Sequence, residues 1–203
     1  MSMETAPVGR PRDPEVDRRI AQAALDVFAE AGWSGFAMET VARRAGVGKA
    51  SLYLRWSSKE AMLADALTLR IGRVADVDTG TLPGDLTELA AQVLRAYAGD
   101  TGRAALRLTL EAATIPSLAG HYDAMRTAEI GAARAIVRRG IARSELPAGT
   151  SVTLLLNTLI GGAMMRALTS PADKRPMTAR DIIRHARQLV DFLLNAVTTS
   201  ALQ

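Results

Sequence analysis

The 203-residue chain contains no cysteine. That alone excludes disulfides, thiol nucleophiles and cysteine-ligated metals. Aromatic residues are scarce at 4%. In the C-terminal region only Tyr97, Tyr122 and Phe192 remain, so a pocket walled with stacked rings for planar cations is not expected there. No apolar run approaches the roughly 20 residues of a membrane span. The N-terminus lacks the apolar core of a signal peptide. A soluble, cytoplasmic protein with no membrane partner is the expectation. No nucleophile–base pair, phosphate loop or metal-ligand spacing stands out. His185 has Asp181 four residues before it, an ordinary helix pair with no third ligand nearby. An enzyme, a metal site and a cofactor are therefore not expected.

What is plentiful is apolar: hydrophobic residues make up 48% of the chain, enough for a sizeable core. The formal net charge is +4, a balance that leans toward nucleic acid. The charge is concentrated. From Thr40 to Lys59 the charged residues are Arg43, Arg44, Lys49, Arg55 and Lys59, with no acid among them. In the same stretch Val41, Ala42 and Ala45 repeat at helical spacing. Gly46 then stops that helix, since glycine enters the left-handed conformation without steric cost. Val47 and Leu52 supply the inward residues of one short second helix. The spacing is that of a helix-turn-helix, with a basic second helix sized for a DNA major groove.

These residues resemble the DNA-binding domain of the tetracycline-repressor-like (TetR) family. Val41-Ala42, Ala45-Gly46-Val47, Lys49-Ala50-Ser51-Leu52-Tyr53 and Ser58-Lys59-Glu60 carry the resemblance, with Phe28, Gly32 and Phe36 before them. The resemblance implies backbone contacts at positions such as Tyr53 and Lys59. Lys49, Ala50 and Ser51 begin the second helix and face the base edges. Thr40, Arg44, Gly48 and Arg55 complete the candidate DNA-binding set. Three positions depart from the family pattern: Ala37 and Gly48 stand where it usually has a hydroxyl residue, and Arg55 where it often has histidine. Ala37 cannot cap the helix that follows, a loss of about 1 kcal/mol; Ser34 or Thr40 is left as a substitute.

The fold class expected is all-α: an N-terminal three-helix helix-turn-helix domain and a larger C-terminal helical domain for ligand binding and dimerisation. Residues 1–12, with Arg10 and Arg12, read as a flexible basic arm, either touching DNA or simply frayed. Residues 13–60 form the DNA-binding domain and 61–203 the rest. Asp13-Pro14 opens the first helix, and Val16, Ile20, Ala23, Ala24, Val27, Phe28 and Ala31 form its buried stripe. Ser57 and Glu60 have the spacing of a capping box for the helix linking the domains. Asp85 and Glu88 restart a helix, Pro116 closes another that includes Ile115, and 117–143 is one long helix. Thr150 or Ser151, and then Thr178 with Asp181, cap the last two.

Leu106, Glu111, His121, Tyr122, Met125, Asn157, Met164 and Met165 are the candidate pocket residues, suited to an aliphatic or weakly polar ligand. Leu155, Leu159, Gly161, Gly162, Ala186, Leu189, Val190 and Leu193 are the candidate dimer interface. Gly161-Gly162 inside an apolar helix marks either close approach at that interface or a kink. The function expected is a ligand-responsive transcriptional regulator, a repressor. It binds a palindromic double-stranded DNA operator as a homodimer and is released by a small-molecule inducer. The alternative is a constitutive or architectural DNA-binding protein with a filled C-terminal core.

Overall fold

The computed structural model describes residues 13–70, 77–99, 101–170 and 177–200. Residues 1–12, expected as a basic arm, lie outside these residues, as do 71–76, 100, 171–176 and 201–203. Among those described the chain is all-α, with no strand.

Helix α1 (Pro14–Gly35) starts where the sequence places it. Asp13 accepts the Glu15 N–H at 2.9 Å and Pro14 occupies the first helical position. Gly32 breaks the regular helix with φ 66° and ψ −175°, so Ala31, next to the kink, is exposed rather than part of the buried stripe. Helix α2 (Met38–Ala45) ends at Gly46, whose backbone is left-handed at φ 65° and ψ 38°. No side chain caps its start at Ala37; neither Ser34 nor Thr40 does so. Helix α3 (Lys49–Tyr53) follows, with Leu52 fully buried. Helix α4 (Lys59–Arg70) is capped by Ser58, not Ser57: the Ser58 hydroxyl accepts the Ala61 N–H at 3.2 Å.

Helix α5 (Leu82–Ala98) begins earlier than the expected start at Asp85. Thr81 is its N-cap and Pro83 lies in its first turn. Asp85 instead has another task. It is fully buried and accepts the Thr79 N–H and hydroxyl at 2.6 and 2.7 Å, with the Arg143 guanidinium at 3.3 Å. Burial opposes its ionisation, but these donors outweigh burial and hold the carboxyl below its ordinary value. Arg143 also pairs with Glu145, which accepts the Leu82 N–H at 2.6 Å. The cluster ties the start of α5 to the end of a later helix.

Helix α6 (Gly102–Glu111) passes through a 3-10 turn (Ala112–Thr114) into the long helix α7 (Pro116–Ala142). Pro116 opens α7 rather than closing its predecessor, because the first helical position has no use for an N–H. At 1.5 Å per residue α7 is about 40 Å long. Ser151, not Thr150, caps helix α8 (Val152–Leu168) by accepting the Leu154 N–H. Thr178 and Asp181 form the expected reciprocal cap of helix α9 (Ala179–Ser200).

Two hydrophobic cores result. The first holds α1 to α4, with Ile20, Phe28, Phe36, Leu52 and Leu63 fully buried or nearly so, and it also recruits Ala104, Leu108, Ala112, Ile115 and Leu118 from α6 and the start of α7. The second joins α5, the rest of α7, α8 and α9 through Leu86, Leu89, Ile136, Val137, Leu159 and Val190. Five expected interface residues, Leu155, Leu159, Ala186, Val190 and Leu193, are buried in this second core within one protomer. Gly162 belongs to the same packing: a Cβ there would lie 3.2 Å from Leu189 of the same chain. The close approach that Gly162 permits within this chain is between α8 and α9. A Cβ on Gly161 would meet nothing within 4 Å. The apolar side chains that remain exposed on these helices are Leu154 (67%), Met165 (56%) and Phe192 (69%).

Candidate DNA interface and effector cavity

Gly46 turns the chain so that Leu52 packs inward while Gly48, Lys49, Ala50 and Tyr53 stay exposed. Val47 N–H bonds the Ala42 carbonyl at 3.0 Å and fixes the turn. The exposed face is less purely cationic than the sequence suggests. Glu39, one residue before the acid-free stretch, accepts from Lys49 Nζ at 2.7 Å and from the Tyr53 hydroxyl at 3.0 Å. Hydrogen bonds from Lys49, its own backbone and Tyr53 lower the Glu39 carboxyl to about 2. The same carboxylate raises Lys49 and Tyr53 above their ordinary values.

The other candidate contacts are also engaged. Arg44 pairs with Glu30 of α1 at 2.7 Å. Arg55 is mostly buried; it pairs with Asp17 of α1 at 3.2 Å and donates to the Ser51 hydroxyl at 2.5 Å. Lys59 is drawn over the Trp33 ring, its ammonium 4.0 Å from the centroid, and donates to the Trp33 and Phe36 carbonyls at 3.4 Å. Thr40 is half-buried beside Ala37. The partners Asp17, Glu30, Trp33 and Glu39 escaped the sequence reading. Glu39 alone carried a local signal, standing immediately before the basic stretch.

Between the two cores lies a cavity of about 400 Å³. Leu108, Tyr122 and Met125 bound it on the side of the first core, and Ala105 of α6 lines it as well. Leu89, Val93, Ala133, Ile160 and Met164 bound it on the side of the second. Its polar lining comes from Gln92, Tyr97, Thr109, Arg126, Glu129 and Asn157, with Tyr97 and Thr109 hydroxyls 3.0 Å apart. Of the expected pocket residues, Tyr122, Met125, Asn157 and Met164 line it. Leu106 and Met165 do not: Met165 points to solvent, and Leu106 is half-buried off the cavity. Glu111 does not either, because its carboxylate turns toward the kink of α1. There it accepts the Trp33 N–H at 3.0 Å and pairs with Arg107 at 3.3 Å. The side chain of His121 lies outside the described residues. Arg126, Glu129 and Ala133 follow Tyr122 at helical spacing, a stripe that the sequence carried unread.

Helix-turn-helix, long α7 and a cavity beneath the reading head define a DNA-binding regulator with a separate C-terminal domain. The model for bacterial regulatory proteins of the tetR family matches residues 20–66, and that for the tetracyclin repressor-like C-terminal domain matches residues 76–186. The chain belongs to the TetR family of bacterial transcriptional regulators. It is 32% identical to the HTH-type transcriptional regulator AqdR of Rhodococcus erythropolis over 144 residues, 70% of each chain. It is 27% identical to the HTH-type transcriptional regulator YdeS of Bacillus subtilis over 183 residues, 88% of this chain and 91% of that one. Its fold resembles that of the regulator FadR of Bacillus subtilis, solved in complex with stearoyl-CoA, with a TM-score of 0.64 at 20% identity, covering 87% of this chain and 96% of that one. Among the described residues no helix is long and apolar enough to cross a membrane.

Proposed function

We propose that the protein is a cytoplasmic, ligand-responsive repressor that binds a palindromic operator as a homodimer and is released by a small-molecule inducer. The observation that carries this reading is the cavity at the seam of the two cores. A constitutive or architectural DNA-binding protein needs no such space, and about 400 Å³ falls within the range typical of small-molecule sites. The lining is mainly aliphatic, with polar groups grouped around Gln92, Arg126, Glu129 and Asn157. An amphipathic effector with an aliphatic body suits it. The stearoyl-CoA held by the structural neighbour belongs to that class.

Lys49, Ala50 and Ser51 read base edges, while Thr40, Arg44, Gly48, Tyr53 and Lys59 hold phosphates. Arg55 braces α3 against α1. The dimer forms through the outward faces of α8 and α9. Leu154, Gly161 and Met165 make one stripe on α8, Phe192 is exposed on α9, and a second copy covers them in a two-fold helical bundle. Binding sites selected from random DNA, followed by a compound screen for release, test the reading. Two half-sites about one helical turn apart, or a multiple of it, and steep weakening with salt are the expected results. Equal affinity for the selected site and random DNA overturns it.

A further inference from the structure

We propose that Glu111 is a positioning residue that clasps the DNA-reading head to the wall of the effector cavity. Helix α6 has two working faces. Ala105, Leu108 and Thr109 face the cavity, whereas Arg107 and Glu111 face the kink of α1. At that kink the left-handed backbone of Gly32 turns the Trp33 N–H out of the helical ladder, and the Glu111 carboxylate accepts it at 3.0 Å. The bond is part-buried, and an N–H shielded from water loses free energy without an acceptor, so the contact has a reason to persist. Gly32 also gives Arg107 and Glu111 their room: a Cβ there would lie 2.2 Å from Arg107 Nη1 and 3.1 Å from Glu111 Oε1.

The clasp continues to the DNA face. Trp33 is stacked on Phe36 at 5.9 Å. Its ring and carbonyl hold the ammonium of Lys59, the first residue of α4. A shift of α6 caused by filling the cavity is therefore felt at the Trp33 amide before it reaches α4. The route runs along α1, beside any route from α7 to α4. The inference rests on the reading of the chain as a dimeric repressor released by an effector. It assigns the effector-free clasp to the DNA-competent arrangement, in which two heads are held at a fixed separation.

The test uses full-length Glu111→Ala and Glu111→Gln, the latter keeping an acceptor of the same length. Amide hydrogen exchange reads the clasp directly. In Glu111→Ala the Trp33 amide is expected to exchange at least about tenfold faster, with Ala23 and Ala24 still protected, so the head remains folded. Glu111→Gln is expected to lie close to wild type. Binding to the full two-half-site operator is expected to fall about five- to tenfold in Glu111→Ala, within the usual range of coupling between sites. Binding to DNA carrying one half-site is expected to be unchanged. A structural defect in the head weakens both DNAs alike and overturns the positioning role. Unchanged Trp33 exchange overturns the clasp itself, whatever the DNA does. A wild type with no preference for paired half-sites fails the repressor reading, and the positioning role fails with it even if the clasp is present.

Discussion

The two cores are built from different material. The first is locked by rings: Phe28 and Phe36 meet edge to face at 6.3 Å, and Trp33 stacks on Phe36. The second is aliphatic, filled by Leu86, Leu89, Ile136, Val137 and Leu159, with Tyr97 only at its margin. Rigid aromatic packing suits a head that must present α3 in one orientation. Aliphatic helices that meet along a seam suit a space whose shape an effector can change. The working division therefore does not follow the end of the DNA-binding motif. Helix α6 comes after that motif, yet its Ala104 and Leu108 pack into the head. The cavity therefore lies where one core ends and the other begins.

The sharpest way to break this comparison is to damage one core at a time. Phe28→Ala is expected to cost about 3–5 kcal/mol and Leu159→Ala about 2–5 kcal/mol. Phe28→Ala loses operator binding but keeps the dimer mass in sedimentation, whereas Leu159→Ala weakens the dimer. If Phe28→Ala also dissolves the dimer, the cores are one. Next in size is the polar cluster that locks the second core. Asp85→Asn is expected to cost about 2–3 kcal/mol, the scale of hydrogen bonds to a charged group. The folded carboxyl titrates below its unfolded value. Its contribution is thus complete above about pH 4 and is lost as the pH falls through the folded value. Acid unfolding of Asp85→Asn should be flatter over that window; an unchanged profile removes Asp85 from the account.

Smaller effects probe the seam and the reading face. Ala96→Trp places an indole in the cavity from the α5 side. Effector affinity should drop about tenfold, the factor that 1.4 kcal/mol makes, with operator affinity nearly retained. Full effector response in that variant would place the ligand elsewhere. Glu39→Ala releases Lys49 and Tyr53, and general DNA affinity at low salt should rise about two- to fivefold, as expected for an exposed pair. A fall in affinity would show that Glu39 itself contacts DNA.

Much of this was legible in the residues because the signals are local. Gly46 after Val41, Ala42 and Ala45 announces the turn, Asp13-Pro14 the first helix, and Thr178 with Asp181 the last. The long helix was readable from its uninterrupted pattern. What was not legible depends on contacts far apart in sequence. Leu155, Leu159 and Val190 look alike as core or interface, and only the packing of α8 on α9 places them inside one protomer. Glu111 looks like any polar residue on an apolar helix, and only the kink at Gly32 decides which face it serves. Lys49 and Lys59 read as free cations until Glu39 and Trp33 are placed beside them.

The seam cavity and the operator face are proposed to share one equilibrium. The direct measurement is a pair of titrations: operator binding with and without a compound that the release screen identifies, and binding of that compound with and without operator. The compound should weaken operator binding and operator should weaken compound binding by the same factor, and Ala96→Trp should raise the compound concentration needed for release about tenfold. A compound that binds in the cavity yet leaves operator affinity unchanged would contradict it.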